Sequence, residues 1–358
     1  MPPRSHKTGL SGYLMGMARA AIVSFRLGLS DGVSIVARLW QEMLSDIGFD
    51  MVTVAAEGPV DRLVPGLGID QLDGPDPEQL SAAVDDVDLV VVENLCTIPL
   101  NLAAARTVAH TLASRPAILH HHDPPWQRER FASVTELPPD DPAWRHVVIN
   151  RLTAEQFAQR GLEAVVIYNG FDTNSAAGDR NAMRTRLGVA DETLLVVHPV
   201  RAIPRKNIPT AIAIAEALGG TYWLMGQAEE DYDDTLDELL DNARCPVIHR
   251  PVARTPDIYA AADLVVFPSL WEGFGNPPVE AAIWRRPCVV GGYPVADELA
   301  DFGFRWFSPQ RLDEVRDFLS CPDADLLDQN QAIAQQHFSL ERVRSDLVAL
   351  LDDAGWLP

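Results

Sequence analysis

Cysteine is scarce in this chain: 358 residues contain four, Cys96, Cys245, Cys288 and Cys321, none in a C-x-x-C pair. Thiols so widely spaced make neither a zinc knuckle nor a disulfide framework, and they point to a reduced, cytoplasmic protein. Long apolar runs are also missing, and none approaches the roughly 18 residues that a bilayer span requires. The N-terminus reads as carrying no signal peptide, because Gly12, Gly16 and Arg19 interrupt the apolar stretch after Lys7. Basic residues are few: 29 Lys+Arg against 51 Asp+Glu leave a net charge of −22. A field of that sign repels nucleic acid and anionic headgroups, so neither nucleic-acid binding nor stable membrane association is expected. No G-x-G-x-x-G follows an early strand, which argues against a dehydrogenase.

What is present is an ordinary globular composition, 47% apolar and 22% charged, at a length that suits two domains. Short β-branched runs alternate with helical patterns. Strands are expected at 19–27, 49–55, 88–92, 116–122, 146–149 and 164–168. The helix expected at 33–47 carries Ile35, Val36, Leu39, Trp40, Met43, Leu44 and Ile47 on one face. After the polar stretch 173–179 the rhythm restarts, with strands at 193–197, 221–225, 246–249, 263–267 and 287–290. Alternation of this kind predicts an α/β protein of two tandem Rossmann-like, doubly wound domains with a central cleft. The expected division is 1–172, 173–335, and a final helix at 336–358 that crosses back onto the first domain. Ligands of such domains sit at the C-terminal ends of the strands.

Two motifs fall there. Trp271-Glu272-Gly273-Phe274-Gly275-Asn276-Pro277-Pro278-Val279-Glu280 follows the strand 263–267 and opens a helix. Gly273 and Gly275 let a ligand approach the backbone, Asn276 suits the N-cap and Pro277 the first helical position. The helix start favours an anion such as a diphosphate, and Glu272 and Glu280, read as a loop and a first-turn residue, can accept hydrogen bonds from sugar hydroxyls. Taken singly, each glutamate also fits a surface or dipole-complementing role. Arg201-Ala-Ile-Pro-Arg-Lys206-Asn follows the strand 193–197. Cations concentrated in one loop of an acidic protein suit a diphosphate, although a solvated basic loop has the same composition.

Glu272 to Glu280 as E-x7-E, with Arg201 to Lys206 as R-x4-K, resembles the donor site of retaining glycosyltransferases of family 4, which have the GT-B fold. The loop Gly28-Leu29-Ser30-Asp31-Gly32, the segment Val166-Ile167-Tyr168-Asn169-Gly170-Phe171-Asp172 and the run Ala260 to Ser269 resemble the same family, from about residue 20 to 300. The resemblance implies that Arg201 and Lys206 hold the diphosphate. It gives the donor sugar to Glu272 with the amides of Phe274 and Gly275, and the ribose to Glu280. Gly32 would leave room beside the diphosphate and Val252 would lie against the base. It further implies retention of configuration, a nucleotide-sugar donor as substrate, no cofactor and no essential metal. Arg201–Asn207 and the stretch through Trp126 resemble actinobacterial mannosyltransferases, which sets GDP-mannose ahead of UDP-glucose. The acidic surface favours a soluble sugar or oligosaccharide acceptor, and a homo-oligomer is compatible with the sequence.

His120-His121-His122-Asp123 ends a strand, where His120 and His122 share one face and His121 takes the other. His122 matches a family histidine that faces the donor sugar, and His121, Asp123 and Asp31 are assigned to the acceptor side. Packing is the second reading of the run. A metal ranks third, because two residues of one strand supply only two convergent ligands. Asp231-Tyr232-Asp233-Asp234 looks like the D-x-D of another glycosyltransferase fold but reads as an acidic helix start. A GT-B sugar-nucleotide 2-epimerase and a nucleotide-sugar-binding protein without turnover remain as alternatives of other classes.

Overall fold

A computed structural model describes residues 17–29, 32–252 and 254–358. Two fully parallel sheets form its frame. The first has the strands β1 (Arg19–Arg26), β2 (Asp50–Glu57), β3 (Arg62–Leu63), β4 (Leu89–Glu93), β5 (Ala117–His121), β6 (Trp144–Val148) and β7 (Ala164–Val166), in the order β3-β2-β1-β4-β5-β6-β7. The second has β8 (Leu195–His198), β9 (Thr221–Leu224), β10 (Val247–His249), β11 (Leu264–Phe267) and β12 (Cys288–Val290), in the order β10-β9-β8-β11-β12. Strand order reverses between β1 and β4 in the first sheet and between β8 and β11 in the second. Loops diverge at such a reversal and leave a crevice.

Both sheets are covered on two faces, so their central strands are almost continuously buried: β4 and β5 bury every residue. The helix Gly32–Ile47 packs Val36, Ala37, Trp40, Met43 and Leu44 against β1 and its neighbours. Ile35, expected on that face, is 41% exposed, and the small Ser34 and Ala37 are buried instead. The helix Arg180–Leu187 lies in a stretch too polar to show an apolar stripe. It is held by the buried Arg184, whose guanidinium donates to the carbonyls of Ala190 (2.6 Å) and Ala261 (3.0 Å) and to Asp263 (3.1 Å).

The chain crosses between the sheets twice, side by side. Phe171 N donates to Phe338 O at 2.8 Å, and Leu340 N to Phe171 O at 3.0 Å. The helix Ala324–Phe338 buries Ala334 and Phe338 in the core around the second sheet. Past Ser339, the helix Leu340–Ala354 puts Val343, Leu347, Leu350 and Leu351 into the core that holds Ala20, Ile22 and Val91 of the first sheet.

Candidate active site

β8 ends at His198, and the chain turns through Arg201 into a short 3-10 turn, Pro204–Lys206. Asn207 follows with φ 56°, and its amide donates to Pro268 O at 3.1 Å, tying this loop to the one after β11. Lys206 is thereby turned inward and is only 9% exposed. Its Nζ donates to Glu272 Oε1 at 2.6 Å and lies 5.0 Å from the centre of the Phe267 ring. Arg205 Nη1 donates to Trp271 O at 3.0 Å and to Glu272 Oε2. Glu272, 6% exposed, therefore has a cation on each oxygen. Burial pushes its carboxyl up, yet Lys206 and Arg205 outweigh burial and hold it below the ordinary value. For Lys206 burial prevails over the attraction of Glu272, and the amine is pushed down to about 8.

Arg201 does not join this cluster. Its guanidinium is 45% exposed and pairs with Glu229 at 2.6 Å. Arg205 was present in the motif but received no role from sequence, because nothing local shows which cation turns inward.

The loop after β11 is shaped by its glycines. Gly275 has φ 100° and caps the helix Asn276–Ile283, and a Cβ there would meet Tyr293 Oη at 2.3 Å. Asn276, expected as the cap, is the first helical residue, and its Oδ1 accepts from Asn169 Nδ2 at 3.1 Å. Glu280 stands beyond the first turn, where Oε2 accepts from Tyr259 Oη at 2.5 Å. Burial raises its pKa, opposed by that hydrogen bond. The ring of Phe274 packs away from the cleft among Tyr168, Phe171 and Phe338, which leaves its backbone to the loop. Val252 follows β10 and packs against the second core, while Gly32 is exposed with open space where a side chain would begin. Asp31 lies outside the described residues.

The first sheet meets this loop at Gly273. Its carbonyl accepts from Asn150 Nδ2, and a Cβ on it would stand 3.0 Å from His122 O. Asn150 also caps the helix Arg151–Ala158, with Oδ1 accepting from Thr153 N at 2.6 Å. Glu298 adds a second tie, accepting from the amides of Arg151 (2.8 Å) and Leu152 (3.1 Å) and from Tyr168 Oη (2.7 Å). Neither Asn150 nor Glu298 was singled out from sequence, since each acts through a partner more than 100 residues away.

His120 of β5 and His122, just past its end, turn to the same side, as strand alternation predicts, and both meet Glu93 of β4. Glu93, His120 and His122 also offer three convergent donor atoms within 4.8 Å of one another. The carboxylate that completes this set comes from the neighbouring strand, which the two-ligand argument from one strand missed. His121, assigned to the acceptor side, points the other way. It is fully buried, with Nε2 2.8 Å from His146 Nδ1 and Nδ1 on Thr97 Oγ1, and it offers the cleft no atom. Asp123 is paired with Arg128 and accepts from Asn94 Nδ2 at 3.2 Å. Asp233 and Asp234 occupy the first turn of the helix Asp233–Asp241, as an acidic helix start should.

Comparison with known proteins bears on this arrangement. The chain superposes on the crystal structure of Anabaena HepE in complex with UDP-glucose with a TM-score of 0.72. The match covers 93% of this chain and 99% of that one at 22% identity. WaaG, a glycosyltransferase involved in lipopolysaccharide biosynthesis, matches with a TM-score of 0.65 over 92% and 99% of the two chains at 15% identity. This chain has the GT-B fold. Residues 196–307 of the GT-B chain match the family model described as Glycosyl transferases group 1, and that span contains Arg201, Lys206, Glu272 and Glu280. In sequence the chain is similar to the mannosylglucosylglycerate synthase of Thermotoga maritima, 25% identical over 92% of this chain and 98% of the relative. The Petrotoga mobilis synthase of the same name is 26% identical over 79% and 84%. The matched span and the likeness to the two synthases point to glycosyl transfer. Among the described residues, no helix is long and apolar enough to cross a membrane.

Proposed function

We propose that the protein transfers a hexose with retention, mannose from GDP-mannose ahead of other donors, to a small soluble sugar acceptor. The observation that carries this reading is the buried Lys206–Glu272–Arg205 cluster at the strand-order reversal of the second sheet. It lies beside a glycine loop and a helix start, with His122 of the first sheet across the cleft. Breaking a nucleotide–sugar bond leaves a diphosphate whose charge must be met in a dry place. Lys206, with Arg201 at the rim and the start of the helix Asn276–Ile283, supplies positive charge there without a metal. Same-face attack, with the leaving diphosphate taking the acceptor's proton, needs no covalent nucleophile. Two relatives named for mannosylglucosylglycerate favour mannose as the sugar moved and a glucosylglycerate-like acceptor. The UDP-glucose bound by HepE favours a second reading, glucosyl transfer.

A thermal-shift panel of GDP, UDP and ADP sugars tests the donor, because a bound donor raises stability by mass action. Stabilisation by GDP-mannose is expected, followed by transfer to a glucosylglycerate acceptor that persists in EDTA. Response to UDP-glucose alone would move the assignment to the second reading, and response to no nucleotide would remove both.

A further inference from the structure

His122 lies just past the end of β5, and Glu93 ends β4 in register with His120. Glu93 is fully buried, with its two oxygens on two different rings: Oε1 is 2.9 Å from His120 Nδ1 and Oε2 is 3.0 Å from His122 Nε2. Burial alone would push this carboxyl up, but the two histidines facing its oxygens outweigh burial and hold it below the ordinary value, so it is a carboxylate. A carboxylate only accepts hydrogen bonds, so both facing ring nitrogens must carry protons. Each ring, when neutral, is then bare at its other nitrogen.

The two bare nitrogens differ. His120 Nε2 is buried without a partner, and that ring stacks on Trp40 with centroids 4.2 Å apart. His122 retains 7% exposure, and no protein group among the described residues bonds its Nδ1. Its backbone abuts Gly273 of the donor-side loop.

We propose that Glu93 is a positioning residue: it fixes His122 with Nδ1 unprotonated, so that the nitrogen at the cleft accepts a hydrogen bond from a hydroxyl of the bound sugar. The assignment rests on the glycosyl-transfer reading of the cleft. It makes His122 an acceptor in its neutral form, and it makes Glu93 the group that decides this from behind the ring.

Glu93→Gln tests the idea because it nearly conserves volume while replacing one acceptor with a donor. The amide must accept from one ring and donate to the other. A flip of His120 would bury an N–H with no acceptor, whereas a flip of His122 puts its N–H at the open side of the ring. The substitution therefore reverses His122 alone. Long-range 15N–1H correlation spectra of histidine-labelled protein, assigned with His122→Gln, should show His122 protonated at Nε2 in the wild type and at Nδ1 in E93Q. Donor turnover should fall about threefold to tenfold in kcat/KM, the usual worth of a hydrogen bond between uncharged partners. Glu93→Asp, still a carboxylate, should keep the wild-type tautomer and recover part of the rate. A wild-type His122 protonated at Nδ1, an unchanged tautomer in E93Q, or one equivalent of tightly bound metal found on the three side chains by elemental analysis would overturn the proposal. If no nucleotide binds and no sugar moves, the glycosyl-transfer reading fails, while the spectra still judge Glu93 separately.

Discussion

Lys206 and Glu272 meet at 2.6 Å in a place nearly closed to water, where burial prevails for the amine but is outweighed for the carboxylate. That asymmetry is what a site for a second anion should show. The carboxylate already has Arg205, whereas the desolvated ammonium is short of negative charge. Lys206→Ala should lower kcat/KM by a hundredfold or more, the scale seen when a preorganised charge-stabilising donor is removed. Circular dichroism should be unchanged. Near-normal turnover in K206A would remove the diphosphate site from this crevice.

The same amine sets a pH limit. Its charge is present below about pH 8 and lost above it, far sooner than for an ordinary lysine at 10.5. Nucleotide affinity and kcat/KM of the free enzyme should therefore decline as pH rises through about 8. Between 8 and 10.5 the unfolded chain holds a proton that the folded one lacks, so this site's contribution to stability rises with pH across that window. Lys206→Arg should move the decline in nucleotide affinity to higher pH, and a decline left at 8 would assign it to another group.

Gly275 tolerates no side chain. Gly275→Ala adds left-handed strain to a contact of 2.3 Å with Tyr293 Oη, and a loss of about 2–4 kcal/mol in denaturant unfolding is expected. Tyr293 Oη is buried without a partner, so Tyr293→Phe should be neutral or mildly stabilising, and the double variant should recover part of the loss. A strictly additive pair would show that the hydroxyl is not the obstacle.

Glu298 fastens the two halves through the amides of Arg151 and Leu152 and the hydroxyl of Tyr168. Glu298→Ala should cost about 2–3 kcal/mol, the range for hydrogen bonds to a charged group. It should also enlarge the radius of gyration in small-angle scattering without nucleotide. An unaltered scattering curve would mean that other contacts hold the cleft.

What the sequence made legible was local. The loops after β8 and β11 each combine a strand, a turn and a helix within about twenty consecutive residues, and Lys206 and Glu272 were readable from that pattern. What it hid was set by register and distance. Glu93 becomes the partner of His120 and His122 only when β4 is laid beside β5. Arg205 and Arg201 look alike in the chain, yet one turns inward and the other pairs with Glu229 at the surface. Asn276 lost the cap to Gly275 because the tight approach to Tyr293 requires a left-handed residue at that point. The polar helix Arg180–Leu187 has its anchor in carbonyl groups supplied from elsewhere, which no apolar periodicity announces.

Leu347 and Leu351 sit in the same core as Ala20 and Ile22. During synthesis on the ribosome, the half that emerges first thus lacks part of its interior until the last helix has been translated. Its apolar face waits through the making of the entire second half. A nascent chain stalled before residue 340 would carry a first sheet without that apolar cover, a state for chaperones to guard.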